Sequence, residues 1–175
     1  MALDVDATRV TGRWVKHAYA GAEPFPQRDP PPDNRWQRGE IVDAVYLADV
    51  GDTAWAEWYR HLAERGVPPN EQMPRDLWVW QVDAEVADLS DANRLARVDL
   101  KPPRPGRRGW APYQQVGEML ADEGWPGLVA PSAARPAHLV LCLFRAAGET
   151  LAGARPVPPP TLIEEPPAPP TGMTT

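Results

Sequence analysis

Twenty-three prolines decide where this chain of 175 residues can be helical. Each removes a backbone donor, fixes φ, and pushes the residue before it out of the helical region. In Glu23–Asp33 (EPFPQRDPPPD) eight of eleven residues are, or precede, a proline, so that stretch reads as an extended loop. Eight prolines lie between Pro156 and Pro170, where VPPPTLIEEPPAPP shows no apolar periodicity. The sequence predicts a disordered or polyproline tail there. The chain then divides into a flexible N-terminus (1–9), a folded unit (10–150) and a disordered Pro-rich tail (151–175). A unit of about 150 residues is one domain.

Between the prolines, apolar spacing marks the elements. Arg13–Tyr19 reads as a first strand, between Gly12 and Gly21. Ala44–Ala48 (AVYLA) is a short apolar run suited to a buried strand. Asp52 or Thr53 can cap the helix TAWAEWYRHLAER, which stops at Gly66 before Pro68 and Pro69. Its apolar stripe is Ala54, Trp55, Trp58 and Leu62, with Glu57 at the edge of that stripe. Leu77–Val86 is rich in strand formers, and Ser90 reads as the cap of a short helix through Arg97. Pro112 opens a helix closed by Gly124, and Gly127–Ala130 and His138–Phe144 read as two more strands. About five strands and three helices without βαβ alternation imply an α+β domain with a mixed, curved sheet.

Composition narrows the function. A formal charge of −6 argues against a surface that grips nucleic acid, even though Lys101–Arg108 carries four cations in eight residues. One cysteine, Cys142, excludes an internal disulfide. Three histidines without ligand spacing give no metal site. With no apolar run near 18 residues and no leader-like N-terminus, the chain reads as cytoplasmic, with no membrane partner. G-x-S-x-G, P-loop, H-E-x-x-H and G-x-G-x-x-G patterns are absent, so the usual serine hydrolases, P-loop enzymes, zinc proteases and Rossmann dehydrogenases drop out.

Single polar residues beside apolar elements remain. Glu57 in WAEWY is either a boundary glutamate paired with Arg60 or His61, or a carboxylate set against a sugar. Tyr46 is a core tyrosine or a ring against a planar ligand, and Ser132 is a turn former or a ligand contact at a strand end. Arg35 with Trp36 offers a phosphate clamp beside a stacking face, or a surface arginine laid over an aromatic.

The order of segments carries more than any one of them. VKHAYAG, NRW, AVYLADVGDTAWAEWYRHL, WVWQVDAEVADLS, VGEMLADEGWPGLVAPSAARP and LVLCLF together resemble the RES domain family over about residues 10–146. The eleven-residue step from Tyr46 to Glu57 and GLVAPSAARP around Ser132 are the most specific parts. The resemblance implies an ADP-ribosyltransferase-like fold and an enzyme that consumes NAD+, breaking its nicotinamide–ribose bond as a glycohydrolase, phosphorylase or ADP-ribosyltransferase. It implies the toxin of a bacterial toxin–antitoxin pair, with a helix-turn-helix antitoxin as partner, NAD+ as substrate and no metal. It assigns Glu57, Tyr46 and Ser132 to catalysis, and Lys16, His17, Arg35 and Trp36 to NAD+ binding. Asn34 stands where the family has glycine, and Lys16 stands where it usually has arginine. Lysine keeps the charge but loses the planar fork that grips a phosphate at two points. That departure leaves an alternative, a catalytically quiet RES fold serving as a protein-interaction module.

Overall fold

The computed structural model describes residues 2–146 and 149–174. Met1 of the expected flexible segment, residues 147–148 of the expected domain and Thr175 of the expected tail lie outside them. In chain order the elements are β1 (Asp6–Tyr19), β2 (Asp43–Ala48), α1 (Gly51–Arg65), β3 (Arg75–Asp88), α2 (Ala92–Arg97), α3 (Trp110–Asp122), β4 (Gly127–Pro131), β5 (Leu139–Arg145) and β6 (Ala154–Ile163).

The six strands form one mixed sheet in the order β1-β2-β5-β4-β3-β6, and a further β1–β3 pairing closes the first five into a ring. β1 and β3 pair antiparallel along their whole length, from Asp6 opposite Asp88 to Tyr19 opposite Arg75. Among the described residues only β3 and β4 run parallel. The domain is therefore α+β with a mixed sheet, as its pattern of elements implies.

Strand alternation sorts the side chains into two cores. Val45 and Leu47 join Trp14, Trp80, Val82, Leu141 and Leu143 on one face of the sheet. Ala44, Leu128, Ala130 and Cys142 join Leu95, Tyr113, Val116 and Leu120 of α2 and α3 on the other. The α1 stripe of Trp55, Trp58 and Leu62 makes a third cluster with Leu77 and Ile163. Gly117 lets α3 lie directly on the chain at Trp36, where a Cβ would come within 1.9 Å of the Trp36 carbonyl oxygen.

Helix ends follow backbone chemistry. Gly66 adopts φ 64° and ends α1, with Val67 N–H bonded back to Leu62 O at 3.0 Å. The start of α1 corrects the expected cap: Val50 occupies the N-cap position and no side chain bonds there. Asp91, not Ser90, caps α2, its carboxylate accepting from Asn93 N and Arg94 N. Ser90 instead turns back to Asp88, 2.6 Å away.

Both chain ends are more ordered than their composition implies. β1 begins at Asp6, inside the segment expected to be flexible, because it has β3 to pair with. Arg97 then bridges Asp4 and Asp6. The tail expected to be disordered forms β6 on the open edge of β3, the position in a sheet where proline's missing donor is harmless. Pairing breaks between Leu77/Thr161 and Val79/Val157, so Pro158–Pro160 bulge out of the ladder. Beyond β6 the chain crosses α1, where Tyr59 hydroxyl donates to Pro167 O. It ends with Thr174 N–H on Ala134 O at 2.8 Å.

Deleting residues 154–175 uncovers the β3 edge and the Leu77 and Met73 surface under Ile163. A loss of about 2–3 kcal/mol is expected, lowering Tm by roughly 4–12 °C in a thermal melt. An unchanged Tm would show that β6 adds nothing to stability.

Candidate functional site

A cleft of about 410 Å³ opens where the C-terminal half of β1, β2 and α1 meet the Asn34–Trp36 segment and the β4–β5 loop. That volume falls within the range of small-molecule sites. Its wall carries Lys16, Arg35, Arg60, Arg65 and Arg75, with Glu57 and Glu64 as carboxylates. None of these seven residues makes a salt bridge among the described residues.

Glu57 lies on the face of α1 turned to the β4–β5 loop. It accepts a hydrogen bond from Ser132 hydroxyl at 2.6 Å and a longer one from Ala134 N–H at 3.3 Å. Pairing with Arg60 or His61 does not occur. Ser132, fully buried, also accepts from Arg135 N–H at 2.9 Å and Ala134 N–H at 3.2 Å. The serine is thus both the turn former and the partner of the glutamate. Its hydroxyl proton is committed to one carboxylate oxygen, leaving Oε2 free of protein hydrogen bonds.

Arg35 bonds to Arg104 O at 2.8 Å and lies over the Tyr113 ring. Burial lowers its pKa, and the charge of Glu57 leads the opposing effects. Tyr46 lines the cleft while its hydroxyl accepts from Trp36 N–H at 3.0 Å, so it holds the segment that bears Arg35. Burial pushes the Tyr46 pKa well up, keeping the phenol neutral. Trp36 itself is 1% exposed, with its ring edge-on to Tyr113 in the α3 core. Its indole has no free face to stack on a ligand.

Lys16 and His17 enter from β1. Burial first, then Arg75 and Arg28, pulls the Lys16 pKa to about 8. His17 stacks on Trp55 at 4.8 Å, and its Nδ1 accepts from Arg75 Nε at 2.9 Å. Burial drives the His17 pKa well down, so the ring is neutral and serves as an acceptor. The cleft therefore gathers Glu57, Tyr46, Arg35 and Lys16, with Ser132 behind Glu57. His17 also lines the cleft and holds Arg75 there, while the Trp36 ring is buried in the α3 core.

The RES domain model matches residues 7–164. The chain belongs to the RES domain family. Among solved structures, this RES protein is similar to a chain of the M. tuberculosis MbcT–MbcA toxin–antitoxin complex, with a TM-score of 0.67 and 17% identity over 86% of each chain. At that identity the likeness shows the fold. A search of curated proteins finds no significant match.

Several cleft residues of this RES domain escape sequence reasoning. Arg75 precedes the run of strand formers that marks β3, and only its pairing with Tyr19 brings it to the cleft. Arg60 and His61 look like partners for Glu57 but line the cleft instead. The basic loop Lys101–Arg108 sits at the mouth, with Gly106 N–H on Glu64 at 2.8 Å and Pro105 in the wall. Among the described residues no group of three or more His, Cys, Asp or Glu is placed to hold a metal, and no helix is long and apolar enough to cross a membrane.

Lys16 is a charge held in the cleft without a carboxylate, so folding carries a penalty for it. Between its folded pKa of about 8 and the ordinary lysine value, the unfolded chain binds more protons, and stability rises with pH. Lys16→Met is therefore expected to melt higher than wild type at pH 7, with the gap closing by pH 10. A lower Tm at pH 7 would show that the ammonium is already satisfied.

Proposed function

We propose that this RES protein cleaves NAD+ between nicotinamide and ribose. The observation that carries the reading is a carboxylate, Glu57, held by Ser132 in a cleft whose wall carries five cations and only one other carboxylate, Glu64. The nicotinamide of NAD+ is already a cationic leaving group. When the C1′–N bond breaks, its electron pair leaves with the nicotinamide nitrogen, which becomes neutral, and positive charge develops on the ribose. Such a reaction needs orientation and a nearby negative charge more than a strong acid.

Each residue type fits a part of that task. Glu57 faces the anomeric carbon and stabilises the oxocarbenium-like transition state, its second oxygen free for a ribose hydroxyl. Ser132 fixes the carboxylate and keeps the β4–β5 loop against it. Tyr46 offers its ring as a wall for nicotinamide. Lys16 and Arg35 hold the pyrophosphate. An incoming oxygen nucleophile then bonds to C1′ and sheds its proton: water gives ADP-ribose, and phosphate gives the ADP-ribose phosphoester.

The reading extends to a toxin held by an antitoxin. Arg65, Arg107 and Arg108 rim the mouth beside Glu64, so a partner that covers the cleft would present acidic groups there.

Nicotinamide release by the purified protein, with and without phosphate, tests the reaction and names the acceptor. Glu57→Gln keeps the size of the side chain and its Ser132 contact but removes the charge. Its kcat is expected to fall roughly 10²–10³-fold at an unchanged melting temperature. A folded, fully active Glu57→Gln would overturn the role of Glu57. A folded wild type that neither releases nicotinamide nor binds NAD+ would support the interaction-module reading.

A further inference from the structure

Arg75 is 8% exposed and lines the cleft. The other buried arginine, Arg145, is neutralised by Asp43 and lies over Phe25. Arg75 has no such partner. The adjacent carboxylate, Asp76, turns away to accept from Gly21 N–H at 2.8 Å. A buried guanidinium without an anion is costly, and its neighbours here reduce that cost only in part.

Those neighbours fix its direction. The guanidinium lies 4.3 Å over the Tyr19 ring and 5.8 Å from Trp58. Nε donates to His17 Nδ1 at 2.9 Å, and Nη1 donates to Gln72 O at 3.4 Å. Among the described residues Nη2 has no hydrogen-bond partner within 3.5 Å, and the Tyr19 side chain is the one neighbour that favours the charged guanidinium. The plane is thus gripped from its Nε side, by a neutral imidazole that itself stacks on Trp55 and meets Trp58 edge-on. Lys16 lines the same cleft, near enough that the Arg75 charge lowers its pKa. Two unneutralised cations that repel one another in one pocket form a site for a dianion.

We propose that Arg75 is a substrate-binding residue of this cleft, supplying the planar donor fork that grips a pyrophosphate beside the Lys16 ammonium. The proposal rests on the NAD+ reading and deepens it: the fork absent from position 16 is supplied by the paired strand. Tyr19 and Arg75 are register partners, so the guanidinium reaches the same end of β1 from the neighbouring strand. His17 is the positioning residue for that fork.

Two substrates separate this role from a structural one. NAD+ and nicotinamide riboside share the scissile bond, but only NAD+ carries a pyrophosphate. Arg75→Gln is expected to lower kcat/KM for NAD+ about 10–100-fold more than for nicotinamide riboside, mostly through KM. Arg75→Lys, which keeps the charge without the fork, should fall between it and wild type. Equal losses on both substrates would overturn the proposal and make Arg75 a structural residue. Calorimetric titration with inorganic pyrophosphate decides the site independently of catalysis. Arg75→Gln should weaken binding about 10–100-fold, while Arg9→Gln, which breaks a remote surface ion pair with Asp83, should not. Equal pyrophosphate affinity in wild type and Arg75→Gln, or no binding to wild type, would overturn the fork. If wild type cleaves neither substrate, the NAD+ reading fails and the titration alone settles Arg75.

Discussion

The full-length antiparallel pairing of β1 with β3 is the constraint on which both fold and cleft depend. It closes five strands into a ring and sets Trp14 opposite Trp80 within the core. At its far end the same register sets Tyr19 opposite Arg75 and His17 opposite Leu77. A one-residue slip would turn the core side chains outward and carry the site residues to the other face. Packing and chemistry are therefore specified by one register, and a substitution that loosens the Trp14–Trp80 contact would disturb the Arg75–His17 bond as well.

The cleft is a place where stability is given up. Surface arginines such as Arg9, Arg38 and Arg97 all meet carboxylates, whereas Arg35 and Arg75 meet carbonyls, ring faces or an imidazole, and Lys16 lies within reach of the Arg75 charge. A chain with six more acidic than basic residues does not lack carboxylates to neutralise them. Leaving these cations without partners preorganises the pocket for an anionic ligand, whose binding removes the repulsion. The neutral His17 fits the same logic: a second charge beside Arg75 would raise the cost, and a neutral acceptor steers the guanidinium without cancelling it.

Local pattern revealed what local physics determines. α1 was legible from its stripe and from Gly66, and β2, β4 and β5 from short apolar runs. Glu57, Tyr46 and Ser132 were legible as a set only through the order of segments resembling the RES family. The failures have physical causes. Proline-rich β6 lacks the signature of a strand because its stability comes from the open edge of β3, which no local window contains. Trp36 looks like a stacking face beside Arg35, yet Gly117 admits the chain so closely to α3 that the indole is driven into the core. Arg75 stands apart from every recognisable motif, and its place in the cleft follows from a pairing across more than fifty residues.

Glu57 is held in place by more than its helix. Ser132 hydroxyl is the hub, giving its proton to Glu57 and accepting two amides of its own loop. That loop is tied to the start of α1 by Arg135 on Thr53, to β2's end by His138 on Asp49, and to the chain terminus by Thr174 on Ala133 and Ala134. The terminus can reach there only because β6 has carried the chain back along β3 and across α1. The proline-rich segment is therefore a strap under the site, and its stiffness suits that use. A chain confined to extended conformations loses less entropy when pinned at both ends, so proline-rich sequence fixes the loop that orients the carboxylate at a smaller entropic cost than a flexible tail would.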